Sequence, residues 1–480
     1  MASSGHHAPD GKKKDPAPVV RAANPAQANA PLHAVSAGLQ GLYKVKCIRN
    51  PKYKPTPLGA LMHICRKFEF TPTLPCPFTV VQQMVDDTTK LHQKLLAKAK
   101  PKVGNTDGAD SSDDAQKQNT GGPRAVSRVV QKDSSGRVGE VDAQNIQNDS
   151  EYLAQVSIGT APQTMSLCFD TGSSDLWVWS TSLPANTQTK GKTNGHIIFD
   201  PSKSSTFKKM DGAKWQIQYG DGSTARGTVG TDTVVIGGLS VQNQAVELAS
   251  TLAPSFEETA GDGLLGLAFG SINTVKPNPV HTPVENMITQ SDIPPESALF
   301  TAYLTNYQDN DPPSYTFGYI DQDLVKGKPI TYTPIDNSLG FWQVKSAMTT
   351  VNGKQFPNAG NTAIMDTGTT LSLIDDTTCK NIYAAIPGSK YDDSQGGFIF
   401  PSNLGKAKLP TIQFAIGDGL CTIDKDDLSF ADVGNGMTYG GIQSRGTMNF
   451  SIYGGTVLKS MYAIFDQGRK QFGFVQKAVN

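Results

Sequence analysis

Two copies of the tripeptide Asp-Thr-Gly combine residue types that could do chemistry. The first lies in LCFDTGSSDLWVW at 167–179 and the second in AIMDTGTTLSLI at 363–374, so Asp170 and Asp366 are 196 positions apart. In each copy an apolar run precedes the aspartate, and paired hydroxyl residues and another apolar run follow. One copy alone would be an ordinary turn. The repetition with matching flanks predicts a duplicated lobe instead.

The apolar flanks carry both aspartates into buried surroundings, where a carboxylate needs hydrogen bonds or a partner. Each aspartate is the other's obvious partner, and two carboxylates about 3 Å apart cannot both ionise cheaply. One therefore keeps its proton while the other is charged, which suits general acid and general base catalysis. The neighbouring hydroxyls and glycines, which supply hydrogen bonds and allow close backbone approach, are Thr171, Gly172, Ser173, Thr367, Gly368 and Thr369.

Other kinds of site find less support in the sequence. The seven histidines show no metal-ligand spacing, so neither a metal nor a cofactor is expected. Residues 261–266 fit G-x-G-x-x-G with Glu285 further on, but the preceding SFEETA supplies no strand for a dinucleotide site. The lysine cluster at 12–14 is too short, and lacks the aromatic residues, for nucleic-acid binding.

The elements that must position these residues are mainly β. The 480 residues are 37% hydrophobic and 18% charged, with 47 Gly and 30 Pro, and beyond residue 145 short β-branched or alternating runs are separated by turn residues. The chain is too long for one hydrophobic core, which predicts two lobes and additional segments. Its longest apolar runs are strand-sized, so no membrane span is expected.

The formal net charge is zero, but the charges are unevenly divided. Residues 1–140 carry 21 basic and 11 acidic side chains, and residues 141–480 carry 22 and 32. A basic front half could bind nucleic acid or dock on the acidic remainder. In this front half, 42–48 is strand-like, 58–68 and 80–99 have helical apolar spacing, and 101–124 is a low-complexity linker open to proteases.

On these motifs, residues of about 145–480 resemble the pepsin-like aspartic endopeptidases, most closely fungal ones of the aspergillopepsin type. The matching pieces are FDTGSSDLWV at 169–178, YGDGS at 219–223, DGLLGLA at 262–268 and MDTGTT at 365–370. The front half resembles the propeptide of such enzymes, with RNP at 49–51 and RKF at 66–68. The resemblance implies a mainly β, bilobed fold with the active-site cleft between two duplicated lobes, preceded by a small α/β propeptide.

The resemblance also implies a division of the chain into five parts. We expect a disordered segment at 1–40, a propeptide unit at 41–100, a linker with the maturation site at 101–140, an N-terminal β lobe at 141–323 and a C-terminal β lobe at 324–480.

For the site, the resemblance implies that Asp170 and Asp366 hold a water molecule that attacks the substrate peptide bond at acid pH. Ser173 and Thr369 then bond the outer carboxylate oxygens, and Thr171 and Thr367 tie the two loops together. The expected flap and substrate-binding residues are Tyr219, Gly220, Asp221, Ser223, Trp177 and Phe256. In the zymogen, Lys67 is the candidate that blocks the active site.

The same resemblance implies substrates and partners. The enzyme would accept apolar residues before the scissile bond. Asp221 at the flap tip would allow lysine at the same substrate position, because a carboxylate can pair with an ammonium group. The expected partners are protein and peptide substrates and the enzyme's own propeptide. We expect a monomer that binds neither nucleic acid nor a membrane.

Several features depart from the family pattern. A secreted or vacuolar enzyme is expected, yet residues 1–40 show no signal-peptide apolar block, so either the start of the sequence is misassigned or the protein is retained inside the cell. Ser402 and Thr438 replace the cysteines of the usual second-lobe disulfide, which leaves open whether Cys379 and Cys421 pair. Sequons begin at Asn148 and Asn449.

Two other classes of function stay open on the sequence alone. A non-catalytic relative would use the same cleft only to bind peptides, but its usual mark is the loss of an aspartate or of the flap tyrosine, and all three are present. A nucleic-acid-associated protein would bind DNA through residues 1–140 with strong salt dependence.

Overall fold

The computed structural model describes the chain in segments, namely residues 43–50, 56–68, 70–77, 141–146, 151–218, 224–253, 256, 261–306 and 311–479. The chain divides into two compact units, Met1–Gln40 and Gly41–Asn480. The first unit, for which we predicted disorder, lies outside the described residues. So do the predicted linker at 101–140 and the whole of the predicted helix at 80–99.

Strands make up most of the described chain. Those of the first part are β1 (Tyr43–Asn50), β2 (Val141–Ile146), β3 (Glu151–Ile158), β4 (Gln163–Asp170), β5 (Leu176–Val178), β6 (Lys208–Gln218), β7 (Thr224–Ile236), β8 (Leu239–Leu252), β9 (Gly263–Gly266), β10 (Leu299–Tyr303) and β11 (Ser314–Phe317). The prediction of a mainly β chain is confirmed.

The strands that follow are shorter. They are β12 (Thr331–Pro334), β13 (Gln343–Lys345), β14 (Met348–Val351), β15 (Lys354–Pro357), β16 (Thr362–Met365), β17 (Ser372–Ile374), β18 (Lys390–Asp392), β19 (Gly397–Pro401), β20 (Ile412–Ile416), β21 (Gly419–Thr422), β22 (Ser429–Gly434), β23 (Met437–Gly440), β24 (Ile442–Ser444), β25 (Ser451–Tyr453), β26 (Met461–Asp466) and β27 (Gln471–Gln476).

These strands form one large sheet and three small ones. The large sheet has 14 strands in the order β12-β27-β26-β10-β11-β1-β2-β3-β4-β9-β5-β8-β7-β6. The small sheets have the orders β13-β16-β25-β17-β24, β15-β14-β20-β21 and β18-β19-β23-β22. The large sheet therefore joins strands from both halves of the duplicated region, and the small sheets belong to its second half.

The helices of the described chain are few and short. They are α1 (Pro57–Lys67), α2 (Ala185–Asn194), α3 (Pro283–Thr289), α4 (Gln322–Val325), α5 (Asp376–Ala384) and α6 (Gly455–Leu458). Several begin at side-chain caps: Thr282 and Glu285 form a capping box on α3, and Asp375 accepts a hydrogen bond from Thr378 N on α5.

The internal duplication is visible as a repeated strand arrangement around each aspartate. β4 runs parallel to β9, and β5 runs antiparallel to β9 and parallel to β8. In the second copy, β16 runs parallel to β25, and β17 runs antiparallel to β25 and parallel to β24. In both copies the Asp-Thr-Gly loop joins two strands that lie on either side of a third: β4 and β5 flank β9, and β16 and β17 flank β25. The predicted repeat is thus confirmed.

The front part of the chain packs on the duplicated region. β1 pairs in parallel with β2 and antiparallel with β11, so it lies inside the large sheet. α1 begins after the N-cap Thr56, whose hydroxyl accepts a hydrogen bond from Gly59 N, and has Pro57 in its first turn. Leu61 and Ile64 of α1 are buried in a cluster with second-lobe residues such as Leu373. The predicted strand and first helix are thus confirmed.

The candidate disulfide between Cys379 and Cys421 is wrong, because both residues are free thiols. The Cys379 Sγ on α5 lies 3.9 Å from the Ile442 carbonyl oxygen, and the Cys421 Sγ on β21 lies 3.9 Å from the carbonyl oxygen of Thr422. Each thiol is fully buried in the core against a different backbone carbonyl.

Over the segments that the structure describes, no helix combines the length and the apolar character needed to cross a membrane. Within the same segments, no cluster of three or more His, Cys, Asp and Glu side chains is arranged to hold a metal ion.

Candidate active site

Asp170 and Asp366 come together where the two copies of the repeat meet. Asp170 is the last residue of β4 and Asp366 directly follows β16, and both are almost completely buried. Backbone bonds fix each one to its neighbouring strand: Leu267 N donates to Asp170 O at 2.8 Å, and Asp366 N donates to Tyr453 O at 3.1 Å. The carboxylates that the sequence paired are therefore paired in space.

Two threonines join the aspartate loops across the lobes. Thr171 N donates to Thr367 Oγ1 at 3.1 Å, and Thr367 N donates to Thr171 Oγ1 at 2.9 Å. Each hydroxyl also donates a hydrogen bond to the residue before the aspartate of the opposite loop, Thr171 to Met365 O and Thr367 to Phe169 O, both at 2.7 Å. Four buried hydrogen bonds thus hold the two loops in one geometry.

Each carboxylate is also held by its own loop. Asp170 accepts hydrogen bonds from Gly172 N at 2.8 Å and from the Ser173 hydroxyl at 2.5 Å. Asp366 accepts from Gly368 N at 3.0 Å and from the hydroxyl of Thr369. In both copies the backbone N–H bonds Oδ1 and the hydroxyl bonds Oδ2, so the two carboxyl groups are oriented alike.

The Lys67 ammonium group lies between the two carboxylates. Its Nζ donates to Asp170 Oδ1 at 2.7 Å and to Asp366 Oδ1 and Oδ2 at 3.0 and 2.9 Å. Lys67 is the last residue of α1, and 9% of its side chain is exposed. Burial by itself would lower the pKa of Lys67, but the charges of Asp170 and Asp366 outweigh burial and raise it.

The two carboxyl groups titrate differently. Burial would raise the pKa of Asp170, but the Lys67 charge and the hydrogen bonds to Asp366, Lys67 and Ser173 lower it to about 2. Burial raises the pKa of Asp366 to about 6, because the opposing charge of Lys67 is offset by that of Asp170. The pair therefore separates into one carboxyl group that ionises readily and one that retains its proton into mildly acidic conditions.

Trp177 and Phe256 lie together in an apolar cluster of the first lobe. The Trp177 ring stacks on Trp215 with centroids 6.0 Å apart, and Phe256 contacts it edge-on at 5.4 Å. The Trp177 indole Nε1 is buried and has no hydrogen-bond acceptor within the described residues. The other predicted flap residues, namely Tyr219, Gly220, Asp221 and Ser223, lie outside the described residues, so their roles stay predictions.

Sequence reasoning missed a buried acidic pair behind the first aspartate loop. Asp175 and Glu247 are each nearly inaccessible, and Asn273 Nδ2 donates to Glu247 Oε1 at 3.1 Å and to Asp175 Oδ1 at 3.4 Å. Thr274 N and its hydroxyl also donate to Asp175, at 2.9 and 2.7 Å. The signal in the sequence was a glutamate inside the apolar run QAVELAS at 244–250.

Comparison with known proteins agrees with this geometry. Residues 151–477 match the family model described as eukaryotic aspartyl protease. The chain is 43% identical to aspergillopepsin-1 of Aspergillus oryzae over 346 residues, 72% of this chain and 83% of that protein. It is 42% identical to aspergillopepsin-1 of Aspergillus pseudoglaucus, with the same coverage of each chain. It is 39% identical to penicillopepsin-1 of Talaromyces stipitatus over 357 residues, 73% of this chain and 85% of that protein.

The chain therefore belongs to the eukaryotic aspartyl protease family. It has the bilobed pepsin-like fold and is an aspartic-type endopeptidase, a hydrolase whose substrates are proteins.

Proposed function

We propose that this endopeptidase is made as a zymogen and hydrolyses proteins at acid pH through Asp170 and Asp366. The observation that carries the proposal is the Lys67 ammonium group, whose Nζ lies within 3.0 Å of oxygens from both carboxylates. It fills the position that the attacking water needs. Residues 41–100 are the propeptide, and its removal from the cleft activates the enzyme.

Catalysis follows from the unequal carboxyl groups once Lys67 has left. Two buried charges this close repel each other, so the pair shares one proton: one carboxyl group is the charged base and the other the protonated acid. As the water oxygen bonds to the carbonyl carbon, a water proton passes to the charged carboxylate, and the protonated partner donates its proton to the carbonyl oxygen. The carbon–nitrogen bond then breaks as the base returns its proton to the leaving amine, and a hydroxyl proton of the gem-diol passes back to the acid, which leaves the carboxylic acid product.

The preference before the scissile bond is for apolar residues, with lysine also accepted. The cluster of Trp177, Trp215 and Phe256 supports an apolar pocket on the first lobe. Lysine acceptance rests on Asp221 alone, because an ionised carboxylate beside an apolar pocket offers a charge-assisted hydrogen bond to an ammonium group.

The catalytic proposal is tested by replacing Asp366 with Asn, which keeps the size of the side chain and removes its acid–base chemistry. We expect hydrolysis of a denatured protein at acid pH to fall by at least about 10²-fold. The measurement compares wild type, Asp366→Asn and the exposed Asp418→Asn, with and without a pepstatin-type inhibitor, and uses circular dichroism to check folding. A folded Asp366→Asn protein with near wild-type activity would overturn the assignment.

A further inference from the structure

Trp342 directly precedes β13 and is completely buried. Three aromatic rings surround its indole: the ring centroids of Phe269, Phe465 and Phe300 lie 4.7, 5.1 and 5.7 Å away. Side chains packed this closely in a core stay in one rotamer on the time average. The direction in which the indole N–H points is therefore fixed by the packing.

Trp342 bonds to the backbone beside each of the two aspartates. Its Nε1 donates to Leu267 O at 2.9 Å, and Leu267 N donates to Asp170 O at 2.8 Å. Its own carbonyl oxygen accepts from Met365 N at 3.0 Å, and Met365 directly precedes Asp366. One buried residue thus connects the backbone at Asp170 with the backbone at Asp366.

This connection differs from the one that the two threonines make. The reciprocal bonds of Thr171 and Thr367 join the residues that follow the aspartates, whereas Trp342 bonds the residue before Asp366. An indole N–H among aromatic rings has no water as an alternative partner, so losing its acceptor would leave a buried donor unsatisfied. Trp342 therefore supplies a second constraint on how the two aspartate loops lie relative to each other.

We propose that Trp342 is a positioning residue for peptide hydrolysis, which holds the carboxyl groups of Asp170 and Asp366 at their working distance through its bond to Leu267 O. The inference rests on the proposed function, in which both carboxyl groups act on one water molecule. Trp342 is completely buried and acts through the backbone. A misplacement of about 1 Å between reacting groups can cost about 10²-fold in rate, so loss of this bond should affect the chemical step.

The test uses Trp342→Phe, which keeps an aromatic ring and removes the Nε1–H donor. Trp179→Phe is the matched control, because Trp179 is also completely buried, stacks on His196 with centroids 4.3 Å apart, and its Nε1 has no hydrogen-bond acceptor within the described residues. Both substitutions remove the same atoms from a packed core, but only one removes a hydrogen bond. The full chains are activated at acid pH, and kcat and KM are measured on one peptide with an apolar residue before the scissile bond.

We expect Trp342→Phe to lower kcat by about tenfold and to change KM by less than about twofold. Trp179→Phe should keep the kcat and KM of wild type, although urea unfolding should show a loss of stability in both variants. A folded Trp342→Phe enzyme with the kcat of wild type, or an equal loss of kcat in the two variants, would overturn the positioning role.

A second pair of variants covers the case in which Trp342→Phe does not fold. Benzothienylalanine, whose ring has the shape of indole with sulfur in place of the N–H group, is placed at position 342 in one protein and at position 179 in another. A lower kcat only at 342 supports the proposal, and the kcat of wild type at 342 overturns it. Absence of hydrolysis by wild type, or hydrolysis that a pepstatin-type inhibitor does not block, would instead count against the proposed function.

Discussion

Gly172 and Gly368 determine how closely the two Asp-Thr-Gly loops approach each other. A Cβ on Gly172 would lie 2.5 Å from Asp366 Oδ1, and a Cβ on Gly368 would lie 2.3 Å from Asp170 Oδ1. Any side chain at either position would push the opposite carboxylate away. The third residue of each Asp-Thr-Gly copy is thus explained by the partner lobe, and not by a turn within its own lobe.

The Asp175–Glu247 pair makes stability depend on pH. Burial first, and then the Asp175 charge, raises the pKa of Glu247 well above its usual value. A carboxyl group with a raised pKa in the folded state stabilises the fold below its unfolded pKa, and this stabilisation is lost as the pH rises toward the folded pKa. The fold should therefore lose stability above a pH of about 4.5.

Replacing Glu247 with Gln should weaken this pH dependence, because an amide cannot ionise but can still donate a hydrogen bond to Asp175. We expect the fall in Tm between pH 4 and pH 7 to be smaller in Glu247→Gln than in wild type. Thermal melts at both pH values measure it, with the exposed Asp418→Asn as control. Identical falls in Tm for wild type and Glu247→Gln would show that Glu247 does not ionise in this range.

Lysine specificity is the residue-scale prediction for Asp221. Asp221→Thr removes the negative charge, so kcat/KM for substrates with lysine before the scissile bond should fall by about tenfold or more. Substrates with leucine or phenylalanine there should keep their kcat/KM and serve as the control. Equal losses for lysine and leucine peptides would mean that Asp221 only orders the turn.

Among the elements, two equivalent loops form the candidate active site, one from β4 to β5 and one from β16 to β17. The strands around each loop form one set, β4, β5, β8 and β9 in the first copy and β16, β17, β24 and β25 in the second, and each set by itself positions only one carboxylate. The reciprocal bonds of Thr171 and Thr367 connect the sets, and because both hydroxyls are buried, neither can exchange its partner for water. The relative position of the two carboxylates is therefore a property of the pair of loops.

Thr367→Val should show this coupling, because it deletes one hydroxyl that donates to Phe169 O and accepts from Thr171 N. We expect a loss of roughly 2–4 kcal/mol in the free energy of unfolding and a fall in kcat with little change in KM. Urea unfolding and steady-state kinetics measure the two effects. Thr367→Ser keeps the hydroxyl and should stay close to wild type, whereas a Thr367→Val enzyme with wild-type kcat would contradict the coupling.

At the scale of the whole molecule, the described contacts favour docking of the basic front half on the acidic remainder. Lys44 of β1 pairs with Asp321 at 2.8 Å, and Lys67 pairs with both aspartates. Lys67 lowers the pKa of Asp170 and opposes the rise at Asp366. The two aspartates therefore bind fewer protons when the Lys67 segment is docked than when it is not, so docking should weaken as the pH falls.

Acid treatment of the full chain should give a product of roughly 340 residues that begins within 101–140, where the sequence predicts a linker with the maturation site. Lys67→Met removes the charge that opposes protonation of the aspartates, so it should convert at a higher pH than wild type. Gel electrophoresis and N-terminal sequencing after incubation at pH 4 and pH 6 measure this, with the exposed Lys209→Met as control. Cleavage only inside the β lobes, or conversion of Lys67→Met with the wild-type pH dependence, would contradict the zymogen model.

The local chemistry of the candidate site can be read from the sequence alone. Two Asp-Thr-Gly copies in matching apolar flanks predicted the repeated lobe and the carboxylate pair, because strand pattern, turn residues and hydroxyl spacing are all encoded within about a dozen neighbouring residues. The strand at 42–48 and the helix at 58–68 were predictable for the same reason.

The contacts between distant segments, in contrast, become visible only in the folded chain. Folding places the ammonium group of Lys67 between the aspartates, joins Asp175 to Glu247 and keeps Cys379 and Cys421 apart as free thiols. The contacts of Lys67 with the aspartates and of Asp175 with Glu247 link residues that are about 70 to about 300 positions apart in the sequence. The energies of these contacts depend on burial and on the partner's charge. Neither quantity is present in a local stretch of sequence.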